Sequence, residues 1–157
     1  MKDIMIKLTG HQLNADSTVS DQIEFITEAK VYQKGDATYI TYEEGEMSGL
    51  ENVRTTLRIG NDGDVRMKRF GRTLMMDTVM EFQKGKRFNS LYQTPFGPLK
   101  IEILTNRIVN TIRPGDCTGS LSIDYDIALK GISDAHNMLH IELYDPPGKN
   151  SQSQKPN

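Results

Sequence analysis

Cysteine is almost absent from this chain: Cys117 stands alone among 157 residues. No internal disulfide can form, which excludes the small secreted scaffolds that staple themselves with paired cysteines and points to a reducing, cytoplasmic setting. Long apolar runs are missing as well. No stretch approaches the roughly 20 apolar residues of a membrane-spanning helix. The opening MKDIMIKLTG has neither the apolar centre nor the small-residue cleavage site of a secretory signal, so no membrane association is expected. Charge of one sign is scarce: 19 Lys/Arg against 21 Asp/Glu leave a net charge of −2, which argues against wholesale coating of nucleic acid. There is no GxxxxGK(S/T), no GxGxxG opening a helix and no GxSxG elbow, so the phosphate loops and nucleophile turns of common enzymes are missing. What remains, 36% hydrophobic and 25% charged, is the balance of one globular domain.

Apolar residues recur with period two almost everywhere. Ile4, Ile6 and Leu8 alternate with Met5, Lys7 and Thr9, and Ile23, Phe25, Thr27, Ala29 and Val31 alternate with Glu24, Glu28 and Lys30. Lys34-Gly35-Asp36 turns that run into the β-prone segment Thr38 to Glu44. Val53, Thr55, Leu57 and Ile59 form one face of the next strand, and Gly60-Asn61-Asp62-Gly63 is a hairpin turn leading to Val65–Phe70. A methionine-rich strand follows over 72–82, then strands over 87–94, 99–105 and 108–112. The run Leu121, Ile123, Tyr125, Ile127, Leu129 and a last strand through Leu139, Ile141 and Leu143 complete the chain, with 131–137 read as a turn. About ten short strands with tight turns predict an all-β antiparallel meander, not βαβ units. An up-and-down β-barrel of about 8–10 strands is the first expectation, because closure removes exposed sheet edges; a two-sheet sandwich is the alternative. The domain is expected to cover residues 1–145. The tail 146–157, rich in Pro, Ser and Gln, is expected to be disordered.

The chemistry-bearing residues are few. His136 and His140 share one face at a spacing of four, yet zinc needs three or four ligands and no third is near. Cys117 has no cation beside it in sequence to activate its thiol. Asp124 and Asp126 lie on the polar face of their strand. No metal, no cofactor and no catalytic set is therefore assigned. Charged residues on the parity of apolar ones are more informative. Glu44 follows Ile40 and Tyr42, Arg69 follows Val65 and Met67, Arg72 precedes Leu74 and Met76, and Arg87 and Asn89 precede Leu91. A buried charge needs a partner or a rim, so Glu44, Arg69, Arg72 and Arg87 either line one barrel mouth or simply reach water at strand ends. The ligand-contact candidates are Tyr42, Glu44, Arg69, Arg72 and Tyr92, for a small molecule or peptide held in the interior or mouth.

Charge is also unevenly placed. From Arg54 to Arg87 there are nine Lys/Arg and four acids, a net of +5; the remainder holds ten bases and seventeen acids, a net of −7. Arg54 and Arg58, with Arg66 and Lys68 on the hairpin partner, form either a basic stripe for nucleic acid or an acidic protein, or an ordinary solvated face with compensating acids nearby. Only Phe70 is an aromatic of the right parity along that stripe.

The segments Tyr39-Ile40-Thr41-Tyr42-Glu43-Glu44, 49–59 (GLENVRTTLRI) and Tyr92-Gln93-Thr94-Pro95-Phe96-Gly97-Pro98-Leu99-Lys100-Ile101, together with Asp124-Tyr125-Asp126, resemble the YwiB family of small bacterial proteins up to about Leu143. That resemblance implies a lipocalin-like, calycin-type barrel of uncharacterised role, with no catalytic residues to carry over, since fold does not fix function.

Overall fold

Alternating β-branched, aromatic and polar residues extend the backbone. In the computed structural model, which describes residues 2–14, 18–44, 53–71, 78–94, 97–113, 115–129 and 133–147, they form ten strands. These are β1 (Lys2–Leu13), β2 (Val19–Lys34), β3 (Ala37–Glu44), β4 (Val53–Ile59), β5 (Val65–Gly71), β6 (Thr78–Phe82), β7 (Arg87–Thr94), β8 (Gly97–Asn110), β9 (Gly119–Leu129) and β10 (Ser133–Tyr144). They make one sheet in the order β6-β5-β4-β3-β2-β1-β10-β9-β8-β7. All pairings are antiparallel and all but β1–β10 join consecutive strands. The β1–β10 ladder runs from Met5 opposite Tyr144 to Leu13 opposite His136.

The sheet's two ends, β6 and β7, are brought together by the turn at 83–86. There Gly85, at φ 75°, donates its N–H to the Thr105 carbonyl of β8 at 2.8 Å. The Phe82 ring meets Tyr125 of β9 edge-on, with centroids 4.9 Å apart. The result is a nearly closed up-and-down barrel, which decides against the sandwich.

Inward alternation fills most of the interior. Ile4, Ile6, Ile40, Leu57, Ile103, Ile123 and Ile141 are essentially inaccessible to water. Each such side chain contributes about 1.5–3 kcal/mol through burial. The Gly60–Gly63 turn forms as the sequence implies: Gly63 sits at φ 92° and Asp62 Oδ1 accepts the Asp64 N–H at 3.0 Å. Cys117, buried and at φ 57°, lies in the tight turn before β9.

Three expectations are corrected. Residues 99–105 and 108–112 are not separate strands. One strand, β8, carries a bulge where Thr105 pairs with Tyr125 and Arg107 with Asp124, so Asn106 is extra and the inward parity resumes at Ile108. β10 starts at Ser133 instead of after Asn137, because a polar Asn on the inward face hides the alternation. On β7 the parity is opposite to that inferred. Phe88 pairs with Ile103 and packs on the core, while Leu91 is 52% exposed, so Arg87 and Asn89 face outward. The described part of the methionine-rich strand is Thr78–Phe82; residues 72–77 lie outside the described residues, as does the tail 148–157.

Candidate functional site

At one end of the barrel the inward positions turn polar. On β1, Leu8 is followed by Gly10 and Gln12; on β5, Val65 and Met67 are followed by Arg69; on β9, Leu121 and Ile123 are followed by Tyr125; on β10, Asn137 stands beyond Leu139. Cross-strand pairing sets Tyr125 opposite Asn137 and Asn137 opposite Gln12, so these three share one level of the wall. Arg69 and Tyr42 belong to a second interior row, in which Ala29, Tyr42, Thr55 and Arg69 are successive partners across β2–β5.

Above the filled core these side chains border a cavity of about 220 Å³. Its polar wall includes Arg69, Tyr125, Asn137 and Gln12, and its apolar wall Leu8, Ile23, Phe25 and Leu139. The Asn137 amide lies 3.5 Å from the Tyr125 hydroxyl, at the outer limit of a hydrogen bond. Asn137 Oδ1 and Thr105 Oγ1 are shut away from solvent and meet no hydrogen-bond partner among the described residues. Burial raises the Tyr125 phenol above its usual pKa of 10.0; the Asn137 contact and the positive charge of Arg69 pull the other way without cancelling it. Tyr125 is therefore a neutral phenol at physiological pH, able to donate or accept.

Of the five contact residues expected from sequence, the interior brings together Tyr42 and Arg69. Tyr42 is 2% exposed, leans on Phe25 at a centroid distance of 6.3 Å and is not part of the cavity wall. Glu44 ends β3 and Tyr92 lies on β7, but their side chains fall outside the described residues, and so does Arg72 altogether. Arg87 does not join the mouth: it is on the outer surface, ion-paired with Glu102. Tyr125 and Asn137 were missed as site residues. The signal was present in the parity of Leu139, Ile141 and Leu143, which extends inward to Asn137 if the preceding residues are read as strand.

The outer surface carries two further clusters. On β8–β10, Asn106 at the bulge donates to Asp124 and Asp126, both at 3.2 Å, and His136 pairs with Asp124 through Nε2 and lies 3.8 Å from Asp126 through Nδ1. His140 Nδ1 shares a hydrogen bond with Ser122 at 2.7 Å. The two histidines thus share one face, as their spacing implied, and it is the outer one, where each is tied to a neighbouring strand. Among the described residues, no group of three or more His, Cys, Asp or Glu side chains is placed to hold a metal ion. On β4–β5, Arg54, Arg58, Arg66 and Lys68 all face outward; Glu43 lies 3.4 Å from Arg54 and Glu81 lies 3.1 Å from Arg66. Half of the expected basic stripe is therefore neutralised across strands. No helix among the described residues is long and apolar enough to cross a membrane.

Residues 6–141 match the family described as a domain of unknown function, DUF1934. The chain belongs to the DUF1934 family. Among solved structures, this DUF1934 chain is similar to the ywiB protein from Bacillus subtilis, with 23% identity, a TM-score of 0.69, and coverage of 92% of this chain and 93% of that one. At that identity the likeness speaks for the fold, and it agrees with the YwiB resemblance read from the strand and turn motifs. Comparison with curated proteins finds no match.

Proposed function

We propose that this DUF1934 protein is a non-catalytic, lipocalin-like barrel that binds a small molecule, or the end of a peptide, in its polar mouth. The observation that carries this reading is the buried Asn137 Oδ1, an acceptor without a partner among the described residues, at the wall of a cavity that also presents Tyr125 and Arg69. A buried polar atom left unsatisfied costs about 1–3 kcal/mol, a cost that a ligand donor would remove once the Asn137 amide turns its oxygen toward the cavity. The cavity is smaller than the roughly 300–1,000 Å³ of drug-sized sites, so the ligand is compact. Its hydrogen-bond donor faces Asn137 and its apolar part lies against Leu8, Phe25 and Leu139. These polar groups bind and orient; they do not form a nucleophile activated by a base, so the reading is of binding without turnover. The single cysteine keeps the proposed setting a reducing cytoplasm.

The test compares native and denaturing mass spectra of the protein purified from its own host at low salt. Extra mass in the native spectrum that disappears on unfolding, and is missing from Asn137→Leu, supports the mouth as a binding site. Identical masses in both spectra, or extra mass retained equally by Asn137→Leu, reject it.

A further inference from the structure

The outer face of β2–β5 sets two aromatic rings and two guanidinium groups in one cross-strand row. Tyr32 is opposite Tyr39, Tyr39 opposite Arg58, Arg58 opposite Arg66, and Arg66 opposite Glu81. With adjacent strands about 4.8 Å apart, the four side chains from Tyr32 to Arg66 cover about 14 Å. The tyrosine rings are stacked, with centroids 5.1 Å apart and planes 3° from parallel. In the neighbouring row Lys68 follows Thr41 and Thr56, facing the same way as Arg58.

This arrangement is not what stability alone selects. Like charges directly opposite one another on a sheet repel, and Arg58 faces Arg66. Glu81 relieves Arg66 at 3.1 Å, but among the described residues no ion pair forms with Arg58 or Lys68. Arg58, with only the Asp62 carboxylate of the turn near it, and Lys68 stand beside an aromatic pair without forming an ion pair among the described residues, a departure from local consistency of the kind found at functional surfaces. The periodicity of β4 and β5 alone placed only Phe70 near these cations. Strand pairing brings Tyr32 and Tyr39 alongside them.

We propose that this row binds single-stranded nucleic acid. A base stacks on the Tyr32–Tyr39 pair, while Arg58 and Lys68 contact backbone phosphates. Single strands fit because their base faces are free to stack, whereas a duplex hides them. An acidic protein would use the cations but gain nothing from a stacking platform. Arg54 lies outside the proposed contact set, since Glu43 holds it. The surface is independent of the barrel mouth, because Arg69 and Tyr125 project to the opposite side of the sheet.

Fluorescence anisotropy with a labelled single-stranded oligonucleotide, titrated at several salt concentrations, tests the proposal. The expected result is salt-dependent binding, with the slope of log K against log salt shallower by about 0.7 in Arg58→Gln and again in Lys68→Gln, one phosphate contact each. Tyr39→Leu is expected to weaken binding by about 5- to 150-fold, the loss of one base–aromatic stack. The Arg58 and Lys68 variants alter solvent-facing groups, so they remain informative should Tyr39→Leu unfold; circular dichroism checks the fold of each. Asn137→Leu is expected to leave oligonucleotide binding unchanged. Absence of binding at low salt overturns the proposal, as do salt slopes unaltered in both cation variants. Equal affinity for polyglutamate also overturns it and assigns the face to an acidic protein.

Discussion

The double substitution Tyr125→Phe with Asn137→Leu separates a structural role of the polar mouth from a binding role. In the folded barrel the Asn137 amide meets the Tyr125 hydroxyl only at 3.5 Å, and Asn137 Oδ1 is buried without a partner among the described residues. So long a contact contributes little, whereas the unsatisfied acceptor costs about 1–3 kcal/mol. Removing both polar groups together leaves no new orphan between them, and the adjoining cavity of about 220 Å³ gives a leucine room to settle. Leucine is also better tolerated than asparagine within a strand. The net expectation is a gain of about 1–2 kcal/mol, which for a chain of this size raises Tm by roughly 2–8 °C. Thermal unfolding followed by circular dichroism measures it, and native mass spectrometry on the same sample measures ligand retention. A more stable barrel that has lost its ligand is the outcome the binding reading requires. A loss of more than about 1 kcal/mol would show that the pair holds the barrel together and would refute the reasoning.

Three further outcomes follow from particular residues. Gly119 sits at φ 127°, and a Cβ there would lie 2.4 Å from the Thr111 carbonyl oxygen, so Gly119→Ala is expected to cost at least about 2 kcal/mol, read as a lowered urea midpoint. The corrected register of β7 predicts an asymmetry: Leu91→Lys, at a 52% exposed position, changes stability by less than about 0.5 kcal/mol, while Phe88→Lys, beside Ile103, is strongly destabilising in the same denaturation assay. Because the folded-state pKa of Tyr125 is raised, its contribution to stability is complete below pH 10 and falls as pH rises from there through the folded value. Tyr125→Phe is therefore expected to flatten the decline in urea midpoint above pH 10; an unchanged decline would count against the burial-raised pKa.

Much of the barrel was legible in the residues alone. Period-two alternation in β1, β2, β4 and β9 identifies both the strands and their inward faces, because successive side chains of an extended chain must point to opposite sides. The Gly60–Gly63 turn was equally readable, since its glycine supplies the positive φ that the hairpin needs. Legibility failed where a polar residue occupies an interior position or one residue is inserted. Asn137 made the start of β10 look like a turn, Asn106 at the bulge made β8 look like two strands, and in β7 the leucine that appeared to mark the core is on the surface.

The candidate site divides along the same line. Arg69 and Tyr42 could be assigned inward from their own strands, because parity is a local property. That Tyr125 and Asn137 stand with Arg69 around one cavity, that Glu43 and Glu81 neutralise two of the four outer cations, and that Tyr32 and Tyr39 lie beside Arg58 are facts of strand pairing. By itself the sequence determined, outside β7, the β8 bulge and the start of β10, which residues extend and which side of a strand each occupies. Only the tertiary structure decided which strands are neighbours and in what register, because those depend on ladders between segments that are in places more than a hundred residues apart, as β1 is from β10.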